Sequence, residues 1–349
     1  MAGIDGGLRG SEVVEAVRLG ARQVHGPLAV FPLWMRSEDG PSYVTLRRAL
    51  SEGTVVATEV DEDGSVPELR LVNKGDQRVL VLDGEELHGA RQNRILNTSI
   101  LVDKHETIVV PVSCTEQGRW SYTTREFASS DFLADRSVRH AMSESVAHAL
   151  VAGAGHRSDQ GRVWNEVAAL HARHGTASPT AAMRDAYRNR RPGLDPYLAA
   201  FPLQDGQQGM LVLHGAHVVG LDLVSRAAQY AELHERLLSS YAFEALVRDG
   251  EPGDRAVADE FLERIAALSA SRHKSPGLGW DARFEGDGVL GSVLVYRGHV
   301  VHAAFFRTGD ARGAEGQTRA DHHARDAGGT GAAWRIADPR ERARRRKMR

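Results

Sequence analysis

Between Asp83 and Trp120 the chain concentrates side chains that could do chemistry. Asp83, Glu85, Glu86, His88, Arg91, Gln92, Asn93, Arg94 and Asn97 fall within fifteen residues, and Cys114, Glu116, Arg119 and Trp120 follow. Glu86, with Glu85 as its substitute, could act as a general acid or base if partial burial raised its pKa. His88 could move a proton as an auxiliary. Cys114 could be a nucleophile if a neighbour lowered its pKa, although a lone cysteine is more often a small buried hydrophobe. Arg91 and Arg94 carry forked donors that suit phosphate or carboxylate. Gln92, Asn93 and Asn97 could read sugar hydroxyls or an amide edge. Trp120 could stack on a base or a sugar ring, with Asp83, Glu116 and Arg119 as further ligand contacts. The competing reading is a structural polar network, in which Asp83-Gly84 is a turn, Arg91 and Glu85 form an ion pair, and Asn93 and Asn97 cap backbone groups.

Such a segment is neither an alternating half-buried strand nor a Ser/Pro/Gly loop, so it is expected to line a cleft at a strand end. Strands must therefore position it. Apolar β-type runs at 28–34, 54–60, 68–71, 78–82, 95–102 and 107–112 are separated by turn-forming clusters, as at 61–65 and 73–77. They predict an antiparallel sandwich or partly closed barrel over 26–125. A helix is predicted over 11–25. Helical spacing covers 130–152 and 158–174, Ser178-Pro179 marks a further helix start, and Gly193 and Pro196 close that block. Two hairpins, 211–222 and 293–303, flank amphipathic helices at 227–247 and 254–271, a β-β-α-α-β-β order.

The fold class is α+β: an antiparallel β-rich N-terminal part, central helices, then that C-terminal part. The domain reading is a flexible start (1–9), a β-rich part carrying the polar motif (10–129), a helical block (130–196), the hairpins with their helix pair (197–307) and a disordered basic tail (308–349).

Composition narrows the function classes. The 349 residues carry a formal charge of −2. From residue 308 on there are eleven Lys/Arg against six Asp/Glu, so the preceding body carries −7. An acidic body does not describe a dedicated nucleic-acid binder; only weak contacts by the tail are expected. No stretch approaches the roughly 18 apolar residues of a membrane helix, and no secretory leader is read in the first twenty residues. With the single Cys114, this points to a reduced, cytoplasmic setting. The histidine pairs 214/217, 299/302 and 171/174 lack a nearby acid or Cys cluster, so no metal site is assigned. There is no phosphate loop and no nucleophile elbow. The one GxGxxG string, 286–291, leads into a strand-like run rather than a helix, so it reads as a turn. Whether a cofactor is used is left open by the sequence.

The stretches DGEELHGARQNRILNTSILV (83–102), PVSCTEQGRW (111–120), QGRVW (160–164) and LLSSYAFEAL (237–246) resemble the ARPP domain family. The name stands for "ARG and rhodanese-phosphatase-superfamily-associated protein", ARG being ADP-ribosylglycohydrolase. The resemblance spans roughly 26–306. It implies an association with ADP-ribose and NAD-derived metabolism and brings no established reaction or catalytic residue. The matching positions 83–97 and 114–120 are where a site is expected. The resulting expectation is a cytoplasmic protein that binds or processes an ADP-ribose-type nucleotide, and hydrolysis is the reaction that two carboxylates suit best. The rivals are a non-catalytic ligand-sensing module and a scaffold.

Overall fold

The computed structural model describes residues 7–60 and 67–309, so the start up to residue 6, the turn read at 61–65 and the tail from 310 lie outside the described residues. The chain divides into units 1–308 and 309–349; the first is described below.

A short helix α1 (Gly10–Glu15) is followed by strands β1 (Val17–Leu19) and β2 (Gln23–His25), both antiparallel to β3 (Leu28–Met35). The single helix expected over 11–25 therefore ends ten residues early. Val17 and Leu19 alternate with Arg18, a strand period. Gly20 then lies so close to Trp34 that a Cβ there would meet its ring at 2.5 Å.

Next along the chain come β4 (Tyr43–Thr45), helix α2 (Leu46–Ser51), β5 (Val55–Glu59), β6 (Glu68–Asn73), β7 (Arg78–Val81), β8 (Glu85–Gly89), β9 (Arg94–Leu96), β10 (Ile100–Val102), β11 (Thr107–Cys114) and β12 (Phe127–Leu133). They form two sheets, one ordered β10-β7-β4 and one ordered β12-β8-β9-β11-β6-β5. The run predicted as one strand over 95–102 is split between these sheets. Asn97, Thr98 and Ser99 make the step, and all three side chains are buried among polar partners.

Helices α3 (Arg136–Val151), α4 (Gln160–His174) and α5 (Met183–Ala200) make the central block. The helix read from 130 begins at 136 because Phe127–Leu133 pairs with β8, and Asp135 caps the helix by accepting from Ser137 N at 2.9 Å. Ser178 instead caps a turn, accepting from Ala182 N at 2.9 Å, and α5 starts at Met183. Nor does Pro196 end the block: α5 runs through Pro192 and Pro196. Both prolines and Arg188 are exposed, so the carbonyls left without an N–H partner face water.

The C-terminal part holds β13 (Gly209–His214), β14 (His217–Val224), α6 (Ala227–Ala245), α7 (Arg255–Ala266), β15 (Ser271–Lys274), β16 (Trp280–Gly286), β17 (Val289–Tyr296) and β18 (His299–Arg307). Both predicted hairpins are present; β15 and β16 are additional. The GxGxxG string closes the β16–β17 hairpin with Asp287 and Gly288 at positive φ. The strands join in the order β1-β3-β13-β14-β18-β17-β16-β15, with β2 beside β3, so β3 from the N-terminal part sits inside the C-terminal sheet.

Alternation along this nine-stranded sheet separates two cores. Val30, Met210, Val212 and Phe306 face α3 to α6, meeting Met142, Val167, Tyr187, Leu237 and Phe243. Phe31, Leu211 and Phe305 face the other way, onto Val13 of α1 and Phe261 and Ile265 of α7. A third core fills the space between the two smaller sheets.

Candidate functional site

The polar motif lies where these layers meet, and the structure distributes its residues among separate environments. The Asp83-Gly84 turn joins β7 to β8. Asp83 accepts from Ser99 Oγ at 3.1 Å and lies 3.3 Å from Arg139 Nη2 of α3. Arg139 also donates twice to Asp222 of β14, at 2.9 and 2.7 Å, and Tyr241 donates to the same carboxylate at 2.5 Å. His302 Nδ1 is 2.9 Å from Ser99 Oγ. All of these residues are buried. Burial works to raise the Asp222 pKa, but Arg139 and His302 outweigh it and hold the carboxyl well below the usual range.

Strand β8 sends its two glutamates to different partners. Glu85 accepts from Arg236 Nη1 of α6 at 2.9 Å, both groups buried. Glu86 accepts from Thr115 Oγ1 at 2.9 Å, and Ser130 acts on the same carboxyl. Burial raises the Glu86 pKa, and Glu116 adds to the rise. Glu86 is thus disposed to hold a proton, but it is sealed from solvent. His88 is half-buried. Burial lowers its pKa, and Arg184 and Arg188 of α5 lower it further, so its imidazole is neutral near pH 7.

The turn from 90 to 93 and β9 build a third set. Arg94, wholly buried, donates through Nη1 to Gln92 Oε1 at 2.9 Å and to Cys114 Sγ at 2.5 Å, and lies 3.6 Å from Glu59. Burial pushes the Cys114 thiol up to about 11, against the pull of Arg94. The thiol is therefore a packed hydrogen-bond acceptor, in the resting state neither exposed nor ionised. Gln160 clasps the Cys114 backbone, accepting from its N at 2.7 Å and donating to its O at 2.9 Å. Arg119 Nη2 donates to Glu116 at 2.6 Å and to Asn93 Oδ1 at 3.2 Å, and Thr180 donates to Glu116 at 2.7 Å. Asn97 accepts from Ser113 at 2.8 Å and donates to His156 O at 3.1 Å. These bonds match the structural polar network that competed with the cleft reading.

One motif residue, Arg91, instead lines a surface cleft. Arg91 lies 4.6 Å from the Tyr122 ring and 5.5 Å from the Trp120 ring, and Arg94 lies 5.7 Å from the Trp120 ring. Trp120 and Tyr122 are 44% and 48% exposed, unusual for large aromatic rings and therefore available to a ligand. Arg91 and Tyr122 line a cleft of about 740 Å³ with Thr58, Glu59, Arg70 and Arg125. The arrangement offers a flat aromatic face beside three guanidinium groups.

Sequence reading missed Tyr122, Arg70 and Arg125 at this cleft, and Arg139, Asp222 and Arg236 in the interior. Arg139 carried a usable signal. It falls in the apolar stripe Val138–Met142–Val146 of α3, where an arginine has to find a buried acid. Among the described residues, no group of three His, Cys, Asp or Glu side chains is placed to hold a metal ion.

No curated protein and no solved structure matches the chain. A family model, that of the ARG and Rhodanese-Phosphatase-superfamily-associated Protein domain, matches residues 16–306. That span takes in the polar motif, the central helices and both hairpins, and the chain belongs to this family.

Proposed function

We propose that the chain binds an ADP-ribose-type nucleotide, derived from NAD metabolism, in the cleft beside Arg91 and Tyr122. The observation that carries this reading is the half-exposed Tyr122 ring held against Arg91 in a cleft that also presents Arg70 and Arg125, with the half-exposed Trp120 on Arg91 beside it. A base stacks on an aromatic face whatever its sequence, and guanidinium forks suit a pyrophosphate. The family's association with ADP-ribosylglycohydrolase, carried in its name, supports the same ligand class.

The reading favours binding over hydrolysis. Glu85 is engaged by buried Arg236, Glu86 is sealed, and neither lines this cleft. Two carboxylates flanking a scissile bond are what glycosidic hydrolysis requires. The buried, un-ionised thiol of Cys114 fits a reducing cytoplasmic setting.

The test is calorimetric titration of the full chain with ADP-ribose, NAD, ADP and ribose 5-phosphate. ADP-ribose should bind, and Tyr122→Ala and Arg91→Ala should each weaken it about tenfold or more, since one stacked base contributes about 1–3 kcal/mol. An absence of binding across the panel, or affinity unchanged in both variants, defeats the proposal.

A further inference from the structure

A second cleft, of about 680 Å³, opens elsewhere on the same unit between α2, β12, α5 and α6. Its floor includes Arg236, which is 3% exposed. Glu85 holds this guanidinium from within through Nη1, at 2.9 Å. Its Nε and Nη2 make no hydrogen bond among the described residues. A buried cationic N–H without a partner is costly, so a guanidinium fixed on one side and unused on the other is poised for an acceptor entering the cleft.

The acids of the lining and most of its cations are already paired. Asp131 is matched by Arg47 at 2.9 Å and Glu85 by Arg236, while Arg191 is shared between Glu235 at 2.7 Å and Asp195 at 2.8 Å. Glu232 is held by Thr45 and, at 3.7 Å, by Arg48, whose nearer partner is Glu52 at 2.7 Å. Arg188, one α-helical turn before Arg191, lines the cleft, is exposed, and forms no ion pair with any described residue. The Arg47–Asp131 and Arg191–Glu235 pairs are both partly exposed, and such pairs exchange partners readily.

We infer that this cleft is an anion site for a phosphate monoester, with Arg236 as the buried fork and Arg188 as the exposed second cation. The site shares no lining residue with the Arg91 cleft and does not depend on the nucleotide reading.

The probes are inorganic phosphate and ribose 5-phosphate, titrated into the full chain by calorimetry, with Arg188→Ala, Arg236→Gln and Arg91→Ala in parallel. Arg188 is exposed, so its variant keeps the fold even if Arg236→Gln does not. Binding that weakens tenfold or more in Arg188→Ala and is unchanged in Arg91→Ala supports the site. Absence of phosphate binding, or binding that survives Arg188→Ala, overturns it. Loss of phosphate binding in Arg91→Ala alone assigns the phosphate to the other cleft and likewise overturns it.

Discussion

Arg139 of α3 grips Asp222 of β14 through two hydrogen bonds, 2.9 and 2.7 Å long, with both side chains wholly buried. The same guanidinium reaches Asp83, so one arginine ties the polar motif, the central helices and the nine-stranded sheet together. Removing one partner leaves an uncompensated buried charge. Arg139→Leu and Asp222→Ala are each expected to lower unfolding free energy by about 3–5 kcal/mol. The double variant is expected to lose less than the sum, because neither charge of the bonded pair then remains and only Asp83 is left without Arg139. Urea unfolding of the four proteins checks this; additive losses would contradict the coupling.

Gly84 gives Arg139 its path. It has φ +74, and a Cβ there would meet Arg139 Cγ at 2.6 Å. Gly84→Ala therefore carries a backbone penalty of about 1 kcal/mol and a steric one against Arg139. The steric part should disappear when Arg139 is already truncated. In an Arg139→Ala background Gly84→Ala is expected to cost measurably less than in the natural chain, again by urea unfolding. An equal cost in both backgrounds would show that the clash is not with this side chain.

Cys114 is buried and its thiol is pushed up to about 11. A thiol reagent at pH 8 should leave the folded chain unmodified over hours and label one site per chain once urea unfolds it. The thiolate is the reactive species, and the native environment withholds both ionisation and access. Rapid labelling of the folded protein would restore Cys114 as a candidate nucleophile.

The α+β class and both C-terminal hairpins were legible in the sequence because they rest on local period and turn residues. What was not legible depends on partners distant in the chain. Glu85 pairs 151 residues away with Arg236, and Ser99 bonds His302 across 203 residues. Polar crowding at 83–97 announced something other than a plain strand, yet crowding in a cleft and crowding in a buried network look alike until those partners are placed. The split of 95–102 has the same origin, since Asn97 and Ser99, in the step between β9 and β10, bond groups outside both strands. Pro196 misled for a different reason: on an exposed helix face the carbonyl that its ring leaves unpaired can be met by water, so the helix continues through it.

Asp281 supplies a pH test of these buried networks. Burial works to raise its pKa, but Arg283, 2.7 Å away, and His156, 3.0 Å away, outweigh it and hold the carboxyl down to about 2. In the unfolded chain the same group has a pKa of about 3.9. A carboxyl depressed in the folded state contributes stability that is full above the unfolded pKa and is lost as pH falls through the folded one. The contribution, about 2–3 kcal/mol, is therefore present at pH 6 and disappears between about pH 4 and pH 2. Asp281→Asn should be less stable than the natural chain at pH 6 and should show a flatter decline across that acidic interval, because the group that takes up the proton is gone. Melting temperatures measured from pH 6 to pH 2 check both halves. Parallel declines in the two proteins would mean that other carboxylates, and not Asp281, set the acid limit of the fold.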